Sequence, residues 1–265
     1  MEERRKMKWS HISAMVKRDF LLFIRMKWRL VEFLYFPLLT VLTWGLFSVY
    51  MQEFALQAGL MVLAVNIIHS FAQLAQSTTN SQMMEDVWSG SFKQILVSGI
   101  TEGEYIISRI ISSTIASVMI LLLMVGVGIL FGLNVILQFP LVFAIFSAIT
   151  LISSIALSII IVGLILILGR SYGFLSYSML SFFVLFSAPF YPVDIFPSAL
   201  QVLSYAMPYT HVFIGIRSIL GIGPAVGSAI INGFVVSFIY LVISIPIYAY
   251  SFHYARKKGN LARMV

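Results

Sequence analysis

Hydrophobic positions in this chain come in long unbroken runs instead of alternating with polar ones. Six runs stand out, at about 33–50, 56–79, 105–131, 140–168, 174–190 and 229–254. Each approaches the ~20 residues a helix needs to cross the hydrocarbon of a bilayer. Membrane barrel strands alternate lipid-facing and lumen-facing residues, so continuous runs exclude them. The pattern predicts an all-α integral membrane protein with six transmembrane helices in a single domain over 1–265. No internal repeat of the inverted kind is visible.

The segments between the runs carry patterns of their own. Over 8–28, Trp9, Ile12, Val16, Phe20 and Phe23 recur at spacings of three and four, while Lys8, Lys17, Arg18 and Arg25 fill much of the remainder. That is an amphipathic helix suited to the membrane interface, its apolar face in the acyl boundary and its cations among headgroups. The turns at 52–55, 132–139 and 169–173 are short, so their flanking helices are expected to be antiparallel neighbours. Two connections are long. Residues 80–104 hold Glu85, Asp86, Lys93, Glu102 and Glu104 around the semi-apolar piece GSFKQILVSGI. Residues 191–228 hold Asp194, Pro197, Pro208 and Arg217 but are too apolar for a free loop. Short helices over 197–220 are expected there, turned back into the bundle so that protein satisfies their irregular backbone.

Charge gives the runs a direction. Of 17 Lys and Arg residues, 16 fall before the first run, after the second, between the fourth and fifth, or after the sixth. Arg217 alone falls on the other side. Basic residues near span ends stay in the cytoplasm. The expected topology therefore has 1–29 cytoplasmic or interfacial, spans one to five over 30–190, an external re-entrant region over 191–228, span six over 229–254 and a cytoplasmic tail over 255–265. Both termini lie inside a multi-pass protein of the cell membrane. Odd span numbers would put the basic ends on opposite sides.

Composition agrees. The chain is 60% hydrophobic and 10% charged, against roughly 25% charged in soluble domains. A net charge of +7 spread along the ends of apolar segments points to anionic lipid headgroups, not nucleic acid. No cleavable signal peptide is legible at the N-terminus. The absence of Cys excludes disulfides, thiolate metal sites and cysteine chemistry.

Inside the second run, Asn66, His69, Gln73, Gln76 and Asn80 follow one another at three or four residues and so share a face. Lipid cannot satisfy amides or imidazole, so that face is expected to meet protein or water. It either supplies hydrogen bonds between helices or lines a path or a dimer interface. His69 has no second metal-ligating side chain on its own span, and no metal site is read. Glu32, one turn after Trp28 and Arg29, is read as a paired interfacial anchor in preference to a proton relay. Two partners remain open for Arg217: Asp194, or the backbone carbonyls of the re-entrant stretch, with Tyr209 and His211 nearby.

Three stretches together resemble the ABC type-2 export permeases, the membrane half of ATP-driven exporters. They are the basic leader running into the first span, KRDFLLFIRMKWRLVEFLYFPLLTVLTWGLF; the segment EDVWSGSFKQILVSGI after the second; and FYPVDIFPSALQVLSYAMPYTHVFIGIR before the last. The resemblance covers the whole chain through the order of these motifs. It implies that Glu85, Gly90, Ser91, Phe92, Ile95, Leu96 and Val97 belong to a coupling helix that docks on a separate ATPase chain. Lys93 stands where the family commonly has an acid, and Gly99 where it commonly has Pro. On its own, a short amphipathic helix in a cytoplasmic loop offers apolar anchors to a partner groove, and Phe92 and Leu96 are expected to face solvent until docked. The resemblance also brings the first, second and fifth spans near a two-fold axis.

No Gly-x-x-x-x-Gly-Lys-Ser/Thr loop occurs in the sequence, so ATP and Mg are expected on the partner ATPase, with no cofactor on this chain. A second permease subunit completes the assembly, a like copy being the commonest solution. An ion-coupled secondary transporter is the alternative, but midplane acids are scarce. A membrane-embedded enzyme is a further one, without an HExxH or GxSxG motif to support it.

Overall fold

The computed structural model describes residues 7–25 and 27–258. Arg4, Arg5, Lys6 and Arg263 lie outside the described residues, as do the side chains of Trp28, Arg29, Glu32 and Arg170, including the anchor role read for Glu32. The described regular elements are helices: α1 (Trp9–Arg25), α2 (Lys27–Gln52), α3 (Leu56–Trp88), α4 (Ser91–Val97), α5 (Glu102–Leu130), α6 (Val135–Gln138), α7 (Pro140–Leu168), α8 (Leu175–Phe186), α9 (Ser198–Ala206), α10 (Pro208–Ile219) and α11 (Val226–Lys257).

Within the described residues, α3, α5, α7, α11 and the Phe33–Gln52 part of α2 are long and apolar enough to cross a membrane. The fifth run departs from expectation. Its helix, α8, has 12 residues, about 18 Å at 1.5 Å per residue, which is short of the ~30 Å hydrocarbon. A 3-10 turn at Arg170–Tyr172 precedes it, and Ser187, Pro189 and Pro192 follow it, where proline cannot continue a helix.

The second span also differs, by running on past Thr79 to Trp88. Met83, Met84 and Val87 extend its apolar spacing and are buried, so packing holds helix where polarity suggested loop. What looked like a long connection over 80–104 is thus the end of α3, a short α4 and two tight corners.

α3 and α7 form the centre of the bundle, with 56% and 61% of their most apolar windows buried, whereas α2 and α11 bury only 17%. The α2 and α11 surfaces are left for lipid or another chain. α7 meets α3, α10 and α11 through small polar residues. Ser153 and Ser237 hydroxyls pair at 2.8 Å, and Ser154 pairs with the Tyr209 hydroxyl at 3.0 Å. Ser147, Thr150 and Ser153 also return hydrogen bonds to their own helix. Small side chains let helix backbones approach closely where no hydrophobic force drives association.

Candidate coupling site and polar face

Two glycines set the corners around α4. Gly90 (φ 71°) and Gly99 (φ 91°) both take left-handed conformations, open to glycine and strained for other residues. Proline, fixed near −65°, cannot occupy position 99 in this geometry.

Between these corners α4 turns its apolar side inward. Phe92 is 2% exposed and Ile95 is buried with it, in a cluster with Met15, Met83, Val87, Tyr105 and Tyr248, while Leu96 is half-buried against that cluster. The Phe92 and Tyr105 rings meet edge to face at 5.1 Å. The expectation that Phe92 and Leu96 stand open to solvent is therefore corrected. Four packed elements already supply these anchors with a groove inside the chain. The outer side carries Lys93, Gln94 and Ser98, with Val97 86% exposed. Trp88 is exposed at the end of α3. Glu85, Gly90 and Ser91 are half-buried around the corner.

Beneath α4 lies a charge network drawn from α1, α3, α4 and α5. Arg109, 1% exposed, donates through Nη1 to Asp19 Oδ1 at 2.6 Å and through Nη2 to Asp86 Oδ2. Arg18 Nη2 donates to Asp86 Oδ1 at 2.9 Å and to Asp19 Oδ1 at 3.2 Å. The Tyr105 hydroxyl donates to Asp86 Oδ2 at 2.9 Å, and the Ser91 hydroxyl to Asp86 Oδ1 at 3.0 Å. The Ser112 hydroxyl donates to Asp19 Oδ2 at 2.9 Å. Two guanidiniums thus face two carboxylates, and each buried charge has the neutralising partner that low dielectric demands. The Arg109 guanidinium also lies 4.9 Å from the Tyr105 ring centroid, a cation–π distance.

Glu104 ties the start of α5 to the start of α1. Its carboxylate accepts from the Thr101 backbone N–H at 2.8 Å, while its own N–H donates to Thr101 Oγ1 at 3.2 Å, a reciprocal capping box. It also accepts the Lys8 backbone N–H at 2.6 Å and lies 3.0 Å from His11 Nδ1. His11 to Glu104 and Asp19 to Ser112 are both pairs 93 residues apart. The two helices therefore run side by side in the same direction, in fixed register.

The polar face of α3 is divided. Gln76 is buried and donates to the Ser176 carbonyl on α8 at 3.1 Å. Asn80 Oδ1 accepts from Ser158 on α7 at 3.0 Å, and Thr79 donates to Ser113 on α5 at 2.7 Å. Asn66 is buried and donates to Val62 O in its own helix. His69 is half-buried and Gln73 exposed. The stripe thus does not turn inward as one face: its C-terminal half binds the bundle, and Gln73 emerges from it.

Two short helices do occupy 198–219, as expected. Pro197 sits at the cap of α9 and Pro208 in the first turn of α10, where a missing N–H costs nothing. Thr210 Oγ1 donates to Ser204 O, and His211 Nε2 lies 3.0 Å from Tyr205 O. The α10 side chains thereby satisfy carbonyls at the end of α9. Burial holds the His211 imidazole below its ordinary pKa.

Arg217 resolves to the second of its two partners. Its Nη1 donates to the carbonyls of Ala188, Pro189 and Tyr191 at 2.7, 3.3 and 2.9 Å, while Asp194 is exposed. Ala188 has φ 49°, an unfavourable conformation for a side chain that places its carbonyl against the guanidinium.

Asp19, Tyr105 and Ser112 are not singled out by the sequence pattern, and Arg18, read there as a headgroup cation, instead pairs with Asp19 and Asp86. A signal existed in Asp19, the one acid of α1, and Arg109, the one cation of α5. Each is the lone charge of its sign on its helix, and each is buried enough to require a partner.

Five helices of spanning length among the described residues, with a small helix braced beside their ends by buried charges, are those of a multi-pass membrane protein. The chain belongs to the ABC-2 type transporter family, whose model matches residues 10–220, from α1 to the end of α10. It is a permease component of an ABC transporter, and membership implies association with an ABC ATPase. No curated protein matches the chain.

Proposed function

We propose that this chain is the membrane subunit of an ATP-driven exporter, coupled through α4 to a separate ATPase that holds ATP and Mg. The observation that carries the proposal is the two-sidedness of α4. Phe92 and Ile95 are buried in the bundle, while Lys93, Gln94 and Val97 remain outside with Trp88 beside them. A force applied to the outer side reaches α1, α3 and α5 together through Ser91, Asp86, Arg109 and Asp19. The docking set is thus revised. Glu85, Gly90, Ser91, Phe92, Ile95 and Leu96 shape and seat the helix; Val97, with Lys93 and Trp88, meets the partner.

A second copy completes the path. Gln73 lies midway along α3 and is exposed, and an amide at that depth does not rest in hydrocarbon. With His69 it marks the face that a second copy or the transported molecule covers. Motion of two ATPases on binding ATP would shift the two α4 helices and change which side the path opens to. Both termini are cytoplasmic in this scheme, and α8, with the residues flanking it, makes the sixth pass.

Co-expression with an ABC ATPase tests this reading. A stable assembly of two permease and two ATPase chains that hydrolyses ATP is expected, with no hydrolysis by the permease alone. Failure to assemble, together with substrate movement driven by an ion gradient in vesicles, would overturn it.

A further inference from the structure

A cleft of about 350 Å³ opens between α1 and α5, with no residue of α3 or α4 in its lining. Ile12, Val16 and Phe20 line it from α1, Ile111 and Ile115 from α5, and Lys17 shares the lining. Its size falls within the roughly 300–1,000 Å³ of small-molecule sites. The fixed register of α1 on α5, from His11 and Glu104 to Asp19 and Ser112, makes the cleft part of the fold instead of a gap between loose elements.

We infer that this cleft binds one anionic phospholipid, its acyl chain along Phe20, Ile111 and Ile115 and its phosphate at Lys17. Three observations select this occupant. One wall, α5, is itself a spanning helix, so hydrocarbon is the medium on that side unless protein displaces it. The lining pairs an apolar floor with a single cation, as a lipid pairs a chain with a headgroup. Lys17 is exposed and, among the described residues, engages in no ion pair or hydrogen bond, whereas its neighbour Arg18 is held by Asp19 and Asp86. A second copy fits less well. A two-fold interface sets a patch against itself, which would oppose one concave surface and one Lys17 to another.

The site predicts retention of a particular lipid, beyond the general attraction of basic residues for an anionic surface. The full-length chain in nanodiscs containing phosphatidylglycerol and phosphatidylcholine would be released into native mass spectrometry and its bound lipids counted. One phosphatidylglycerol retained in preference to phosphatidylcholine is expected. Lys17→Gln, at an exposed position, should reduce that preference about five-fold, the worth of one basic residue at a membrane surface. Ile115→Trp, at a position 46% exposed, should fill the cleft and remove the retained lipid whatever its headgroup. A phospholipid carrying a photoreactive group on its acyl chain should label peptides containing Phe20 and Ile111–Ile115. An unchanged preference in Lys17→Gln, unchanged retention in Ile115→Trp, or labelling confined to other helices overturns the site. A disulfide between two copies through Ser13→Cys would assign the cleft to a second copy and equally overturn it.

Discussion

Arg109 Nη1 and Asp19 Oδ1 lie 2.6 Å apart although the residues are 90 positions apart in the chain. This contact fastens α1 to α5, and the other arm of the same guanidinium reaches Asp86 at the end of α3. Removing Arg109 leaves two carboxylates with Arg18 as their only cationic partner in the network. Arg109→Ala should therefore cost about 3–5 kcal/mol, as breaking a buried pair does. Arg18→Ala, whose side chain is 31% exposed, should cost about 1 kcal/mol or less. Denaturant unfolding of both variants in detergent measures the difference, and equal losses would contradict the network as drawn.

Arg217 gives a second test. Its acceptors are the carbonyls of Ala188, Pro189 and Tyr191, so Arg217→Ala should destabilise by about 2–3 kcal/mol through lost charge-assisted bonds and stranded carbonyls. Asp194→Asn should change stability by no more than about 0.5 kcal/mol, and the two changes should add. Recovery of stability in the double variant would restore Asp194 as the partner.

The polar residues of α3 should separate by role. Gln76→Leu should lower the stability of the isolated chain by about 0.6 kcal/mol, typical of hydrogen bonds between membrane helices. Gln73→Leu should leave stability unchanged and impair assembly or ATP hydrolysis by the complex. A spin label at Gln73→Cys checks the environment, since the natural chain has no Cys. Contact with a second copy or access to water-soluble quencher is expected; a label immersed in lipid would contradict the assignment.

Much of this was legible in sequence because long apolar runs and proline positions act locally. The helices of α2, α3, α5, α7 and α11, and the broken pair α9 and α10, follow from them. The charge network was not legible, since Asp19, Asp86 and Arg109 meet across separations of 23 and 90 residues and nothing local pairs them. Spacing identified an apolar side on α4 but could not say whether a partner or the chain's own bundle would cover it. Spacing alone therefore reads Phe92 and Leu96 as outer anchors, whereas the bundle covers Phe92 and half-buries Leu96. Along α3, three residues rotate about 300°, so Gln76 lies about 60° from Gln73. That offset is enough to bury one amide and expose the other.

The central claim is that α4 docks an ATPase by the side bearing Val97 and is seated by the side bearing Phe92. Val97→Cys provides the direct measurement, as the one thiol in the permease when the complex is treated with a short thiol-to-amine crosslinker. The account predicts a crosslink to the ATPase polypeptide, lost in a Val97→Cys, Lys93→Glu variant of undiminished stability. Phe92→Ala should instead lower permease stability by about 3–5 kcal/mol. A Val97→Cys chain that hydrolyses ATP with its partner yet gives no crosslink, while Phe92→Cys does, would contradict the assignment of the two sides.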